Sequence, residues 1–126
     1  MNLTIHDNLF TEALPRYEQG RPMDVEHIRW MYSTLCRMLP ISGVMTDIVS
    51  PLVILHDIGY SAFSAQNPFE LDTRRAHMKA GAEMAAPLMS ASDYDKDTTV
   101  KVCQLIAIHD IWAFGEHDPY RKYREL

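Results

Sequence analysis

The stretch Pro51-Leu52-Val53-Ile54-Leu55-His56-Asp57-Ile58-Gly59 decides how this chain is read. An uncharged apolar run leads into an adjacent histidine and aspartate, and a glycine follows. Apolar runs are buried, so the His-Asp pair at the end of one is held at the edge of a core. An imidazole nitrogen beside a carboxylate oxygen suits a borderline or hard divalent cation. His27, His77 and His109 stand on either side of the pair, in three other segments that read as amphipathic helices. Histidines from separate elements can complete the shell of one ion.

Working outward, Val49 to Ile58 is apolar enough for a buried strand, and periodicity alone does not separate strand from helix. Ser50-Pro51 resembles an N-cap followed by proline at the first helical position, and Gly59 is a natural stop, so the segment is read as a helix. The alternative is a helix that starts near Thr46 and kinks at Pro51. Upstream, residues 3–14 form a short leading helix ended near Pro15, and Gly20-Arg21-Pro22 punctuates the chain. Asp24 then caps a helix from Val25 to Leu39, closed by Pro40. Its apolar residues Trp30, Met31, Leu35 and Met38 share His27's side at helical spacing, which turns His27 inward.

Downstream, Phe63 to Leu71 reads as a loop, and Asp72 caps a long helix from Thr73 to about Met89. Ala76, Ala80 and Gly81 near His77 let another backbone or a ligand come close, and Pro87 ends or bends the helix. The acidic stretch Asp93-Tyr94-Asp95-Lys96-Asp97 precedes a last helix, Thr98 to Phe114, ended by Gly115; acids there favour its positive end. Val102, Leu105, Ile106 and His109 line one face of it. The expectation is an all-α fold: one domain spanning 1–126, a compact bundle of about five to six helices, with the site between helices.

Composition agrees. In 126 residues, 47% are hydrophobic and 23% charged, enough for a genuine core. No apolar stretch approaches the length of a membrane span, and the first residues lack the pattern of a signal peptide. A cytoplasmic location is the expectation. The net charge of −5 argues against an electrostatic grip on a nucleic-acid polymer. A small phosphorylated substrate is compatible with it, because a metal supplies positive charge locally. Cys36 and Cys103 read as two buried, reduced thiols, and no CxxC spacing suggests structural zinc. His6 and His117 read as surface residues. Phe63, Phe69 and Trp112 read as core, with a homodimer contact as the alternative.

Successive helical side chains diverge by about 100°. His56 and Asp57 therefore share one ion only if it sits between their two directions, near the helix end. His27 would approach from one side, leaving positions open for water or substrate, as in a catalytic rather than a structural site. Such an ion lowers the pKa of its water and polarises a phosphoryl oxygen. Hydrolysis of a phosphoester or phosphoanhydride is the natural reaction class.

At this point the residues resemble a known family. His27, then Ile54-Leu55-His56-Asp57-Ile58-Gly59, then His77-Met78-Lys79-Ala80-Gly81-Ala82-Glu83, then Ile106-Ala107-Ile108-His109-Asp110 is similar to the HD-domain superfamily, all-α metal-dependent phosphohydrolases named for the doublet. The resemblance covers about residue 21 to residue 115. It implies that His27, His56 and Asp57 are metal ligands. It also implies that His77 and His109 hold a second ion in dinuclear branches or face the substrate phosphate in mononuclear ones. In the dinuclear case Asp57 bridges the ions. The cofactor implied is one or two divalent ions, from Mn, Fe, Co, Ni, Zn or Mg. Asp57, His77 and His109 carry the catalytic roles, with attack on phosphorus by metal-bound water and a small molecule, such as a nucleotide, as substrate.

Two departures from the family pattern stand out. Tyr60 occupies the position after the doublet's glycine where the family often has lysine, so Arg74, Arg75 or Lys79 is expected to contact phosphate instead. The family's final aspartate, on a later helix, has no clear counterpart. Asp110 and Asp118 are the nearby acids that could serve, Asp110 as a ligand or as an orienter of one, and the chain is expected to stop short of its natural carboxyl end or to carry an incomplete site. Two alternatives to hydrolysis stay open: a di-iron oxygenase of the same superfamily, and a non-catalytic metal- or ligand-binding module.

Overall fold

A computed structural model describes residues 3–38, 43–63 and 70–110. Its elements are α1 (Leu3–Gly20), α2 (Met23–Met38), α3 (Gly43–Leu55), a 3-10 segment (Ile58–Phe63), α4 (Leu71–Ala91) and α5 (Lys96–Ile108). No strand occurs among the described residues. The all-α bundle expected from the sequence is the fold, with α4 packed most extensively on α5 and on the 3-10 segment.

α1 is longer than expected and runs through Pro15 to Gly20. A proline inside a helix leaves the carbonyl four residues earlier without its amide partner. Pro15 is exposed, so water can satisfy that carbonyl. The buried stripe His6, Leu9, Ala13 and Tyr17 holds the helix together on both sides of the break. His6, read as a surface residue, is thus part of that stripe and only 2% exposed.

α2 buries Ile28, Tyr32 and Leu35, a stripe rotated by one residue from the expected one. Trp30 and Met38 are 62% and 66% exposed, and His27, beside Ile28, is exposed as well. The helix turns this way because Tyr32 has specific partners. Its ring stacks on Phe10 at 4.7 Å, and its hydroxyl donates to Asp7 Oδ1 at 2.5 Å. The expected ends at Leu39 and Pro40 lie outside the described residues.

α3 begins at Gly43 with Pro51 inside it, closer to the alternative start near Thr46 than to a cap at Ser50. It ends where the decisive doublet begins. The Leu52 carbonyl accepts from the His56 amide at 2.9 Å, the Val53 carbonyl from His56 Nδ1 at 3.0 Å, and the Ile54 carbonyl from the Tyr17 hydroxyl at 2.6 Å. The last two partners satisfy carbonyls that a longer helix would use itself, and the chain turns into the 3-10 segment.

Gly59 does not act as a helix stop. It lies inside the 3-10 segment, where a Cβ would meet the His77 carbonyl oxygen at 1.9 Å. Its role is close approach to α4. The small residues expected to permit such an approach include Gly81, whose own Cβ position is 3.4 Å from Gly59 N.

α4 starts at Leu71 with Glu70 as its cap residue and no side-chain cap bond, so Asp72 lies in the first turn instead of capping it. Exposed Pro87 neither ends nor breaks the helix, which runs to Ala91. Asp93 then adopts a left-handed φ of 69°, a conformation that aspartate tolerates better than most residues. α5 is capped by Asp95, which accepts from the Thr98 amide at 2.7 Å and the Thr98 hydroxyl at 3.0 Å. Val102 and Ile106 are buried as expected. The expected end near Phe114 and Gly115 lies outside the described residues. Both cysteines are free thiols; Cys36 is exposed and Cys103 half-buried, so the pair is reduced but not buried as read.

Candidate metal centre

Three of the four histidines singled out with the doublet converge on Asp57. Its Oδ1 lies 3.4 Å from Nε2 of both His77 and His109, and its Oδ2 lies 3.3 Å from Nε2 of His56. The two imidazoles facing Oδ1 have their Nε2 atoms 3.2 Å apart, with rings nearly perpendicular at 87°. Among the described residues, Asp57, His77 and His109 form the one group of three whose ligand atoms lie within 4.8 Å of one another. They come from the turn after α3, the second turn of α4 and the end of α5.

One local device orients all three rings. His56 Nδ1 faces the Val53 carbonyl, His77 Nδ1 the Arg74 carbonyl and His109 Nδ1 the Ile106 carbonyl, each three residues upstream. A carbonyl oxygen only accepts, so in each ring Nδ1 carries the proton and donates it. A neutral imidazole then presents a bare lone pair at Nε2. Two such lone pairs and a carboxylate oxygen facing one another are all acceptors. They repel unless a cation, a proton or a metal ion, stands among them.

A positive charge among these groups acts on Asp57 in the same sense. Burial by itself raises the Asp57 carboxyl, but its contacts with His109, His56 and His77, when a proton stands between them, outweigh burial and hold the group far below the usual carboxylate range. Burial likewise opposes charging of His56, and the hydrogen bond and charge of Asp57 reverse that, raising its pKa. A mixed imidazole and carboxylate donor set with fixed Nε2 lone pairs fits a divalent first-row ion.

The other residues expected at the site lie around this group. His27 is exposed on α2 and outside it. Asp110 gives both oxygens to the Arg74 guanidinium, at 2.8 and 2.9 Å. Since the Arg74 carbonyl accepts from His77 Nδ1, Asp110 supports the backbone that fixes a ring. Arg75 and Lys79 are exposed. Tyr60 stacks on His77, with centroids 3.8 Å apart and planes 9° from parallel. The Arg21 guanidinium lies 5.1 Å from the centroid of the same tyrosine. Its Nε pairs with Asp24 at 3.5 Å.

Tyr60 was visible in the sequence as the residue in lysine's place, but its stacking was not. Arg21 gave no signal, because it belongs to the turn between two helices and reaches the site only through the fold.

The family model for the HD domain matches residues 24–125. The chain belongs to the HD-domain family. No curated protein and no solved structure gives a significant match. The match extends over both helices and the turn that supply Asp57, His77 and His109, so the HD doublet and its convergent histidines lie inside it. HD domains form a superfamily of the metal-dependent phosphohydrolase type, whose members bind divalent metals. No helix among the described residues is long and apolar enough to cross a membrane.

Proposed function

We propose that this HD domain is a metal-dependent phosphohydrolase of a small phosphorylated molecule such as a nucleotide, with Asp57, His77 and His109 holding the ion. The observation that carries the reading is the convergence of Asp57 Oδ1 and two Nε2 lone pairs, with every Nδ1 committed to a backbone carbonyl. A divalent cation there supplies Lewis-acid chemistry, lowering the pKa of water and drawing charge from a phosphoryl oxygen.

The chain's own residues do the rest. Asp57 divides its oxygens between the His77/His109 pair and His56, so its carboxylate and these rings would be the residues to hold one ion or two. His56, half-buried beside Oδ2, is the candidate fourth ligand or proton carrier. Tyr60 holds the His77 ring by stacking, and Asp110 fixes Arg74 so that one guanidinium stands at a constant position beside the site. Charge-assisted contacts to phosphate favour arginine for its planar fork.

Metal analysis of purified protein, with hydrolysis measured over a panel of phosphorylated metabolites, tests the reading. The expected result is bound divalent metal and turnover, both lost in the Asp57→Ala/His77→Ala double variant. Unchanged turnover in that variant freed of metal would refute the assignment. Two irons per chain with oxygen uptake on substrate addition would replace hydrolysis by the oxygenase alternative.

A further inference from the structure

Tyr60 has two faces, and one of them belongs to the metal centre. His77 lies nearly parallel to the ring with centroids 3.8 Å apart, which covers that face. The Arg21 guanidinium also stands over the ring, 5.1 Å from its centroid. With His77 in contact across one face, the guanidinium takes the other. The stack therefore runs Arg21, Tyr60, His77. The two spacings put the cation no more than about 9 Å from the imidazole.

Arg21 is itself held in place. It occupies the turn between α1 and α2, where its amide donates to the Tyr17 carbonyl at 2.8 Å and its carbonyl accepts from the Asp24 amide at 2.9 Å. The preceding Gly20 is pressed on Ser61, the neighbour of Tyr60, so closely that a Cβ would come within 2.3 Å. The Arg21 side chain is 16% exposed. Its Nε pairs with Asp24 at 3.5 Å, and a terminal nitrogen faces Met23 Sδ at 3.4 Å. A guanidinium so enclosed is placed to hold a neighbour, not to reach out for a substrate.

We propose that Arg21 is a positioning residue for His77, acting through Tyr60; the inference rests on the reading of His77 as a metal ligand. His77 Nδ1 is tied to the Arg74 carbonyl, which leaves the ring able to rock about that bond. Rocking swings Nε2 away from Asp57 Oδ1 and His109 Nε2, which lie 3.4 and 3.2 Å from it. Tyr60 blocks the motion only while its own far face is covered. A guanidinium suits that task, because it is planar, always charged and attracted to the negative face of an aromatic ring. A lysine at position 60 would offer no ring face to it. The family model begins at residue 24, so this support comes from chain ahead of the matched part.

Charge and position predict opposite signs. A cation close to a divalent ion repels it, so removing Arg21 tightens metal binding if its charge alone counts. If Arg21 positions His77, removing it weakens binding.

The test follows Arg21→Ala and Arg21→Lys in the full chain by two measurements. One is the Tyr60 ring-flip rate in metal-free protein by aromatic NMR, and the other is zinc affinity by calorimetry. In Arg21→Ala the ring should flip at least about tenfold faster, and zinc should bind about fivefold more weakly. Arg21→Lys keeps a cation over the ring and should stay within about twofold of the parent in both. On a Tyr60→Ala background, Arg21→Ala should lower zinc affinity no further, because the relay is already gone. Arg21→Met keeps a long stem without the guanidinium and should repeat the alanine result, which covers the case of an alanine variant that does not fold. Unchanged or tighter zinc binding in the Arg21 variants that lack a cation, an unchanged flip rate, or an equal loss on the Tyr60→Ala background would each overturn the proposal. A parent that takes up no zinc would count against the metal assignment, while the flip rates in metal-free protein still decide whether Arg21 clamps Tyr60.

Discussion

Replacing Gly59 by alanine tests how tightly the His-Asp turn is pressed on α4. The added Cβ would lie 1.9 Å from the His77 carbonyl oxygen and 2.6 Å from Gly81 N. Ordinary close carbon–oxygen approaches are about 3.3 Å, so the 3-10 segment and α4 must separate by about 1.4 Å. Both obstructing atoms are backbone, and no side chain can swing away. Overpacking costs typically 1–3 kcal/mol and occasionally more; with backbone on both sides, about 3 kcal/mol is expected here. For a chain of this size that is a melting temperature lower by roughly 10 °C. Gly81→Ala is the matched control. Its Cβ would meet Ile106 Cγ2 at 3.1 Å, the tip of a side chain that can yield, so it should cost about 1 kcal/mol or less. The same separation moves Asp57 away from His77, and metal affinity should fall by about tenfold or more. Thermal melts of metal-free protein and calorimetric metal titrations measure the two effects. If Gly59→Ala melts and binds metal like the parent, or if Gly81→Ala is the more damaging, the packing argument fails.

Other expectations follow from single contacts. Tyr17→Phe leaves the buried Ile54 carbonyl without its 2.6 Å partner and should cost about 1–2 kcal/mol in urea unfolding; no change would mean that another donor replaces it. His77→Ala or His109→Ala removes one of three convergent donors, and either should lower metal occupancy at least tenfold by elemental analysis. Tyr60→Phe keeps the stack on His77 while Tyr60→Ala removes it, so metal affinity should hold in the first and fall roughly tenfold in the second. Asp95 has its pKa lowered by hydrogen bonds from the Thr98 amide and hydroxyl. The unfolded chain thus takes up that proton first as pH falls. The stabilisation is present above the unfolded carboxyl value and lost below about pH 4. Asp95→Asn should flatten this acid limb in melts recorded from pH 6 to pH 3.

Much of the fold was legible because helical periodicity and burial agree along α4 and α5. The stripes containing His77 and Val102, Ile106 and His109 follow directly from their spacing. α2 shows where the reading fails. Two rotations of that helix each turn apolar residues inward, one through Trp30 and Met38 and the other through Ile28 and Tyr32. The choice is made by Asp7 and Phe10 of α1, which no local window contains. The exposure of His27 follows from that choice. Prolines misled in a consistent way: Pro15 and Pro87 lie on exposed helix faces, where water can replace the lost amide bond and buried neighbours carry the helix through. His6 read as a surface residue for a similar reason, since its partners Asp47 and Tyr94 are distant in sequence.

The doublet works as a site because its helix stops at Leu55. Had α3 continued, His56 and Asp57 would diverge by about 100°, and the carbonyls of Val53 and Ile54 would bond to amides further along. Instead the Val53 carbonyl is taken by the His56 ring and the Ile54 carbonyl by Tyr17. The chain is released into a tighter segment that turns Asp57 between His56 and the His77/His109 pair. Tyr17 belongs to α1, as does Gly20, where a Cβ would collide with Ser61 at 2.3 Å. Both residues precede the part of the chain that matches the family model. The apolar run before the doublet therefore supplies the anchor, and α1 supplies the hydroxyl and the close backbone contact that set the angle at which the chain leaves it.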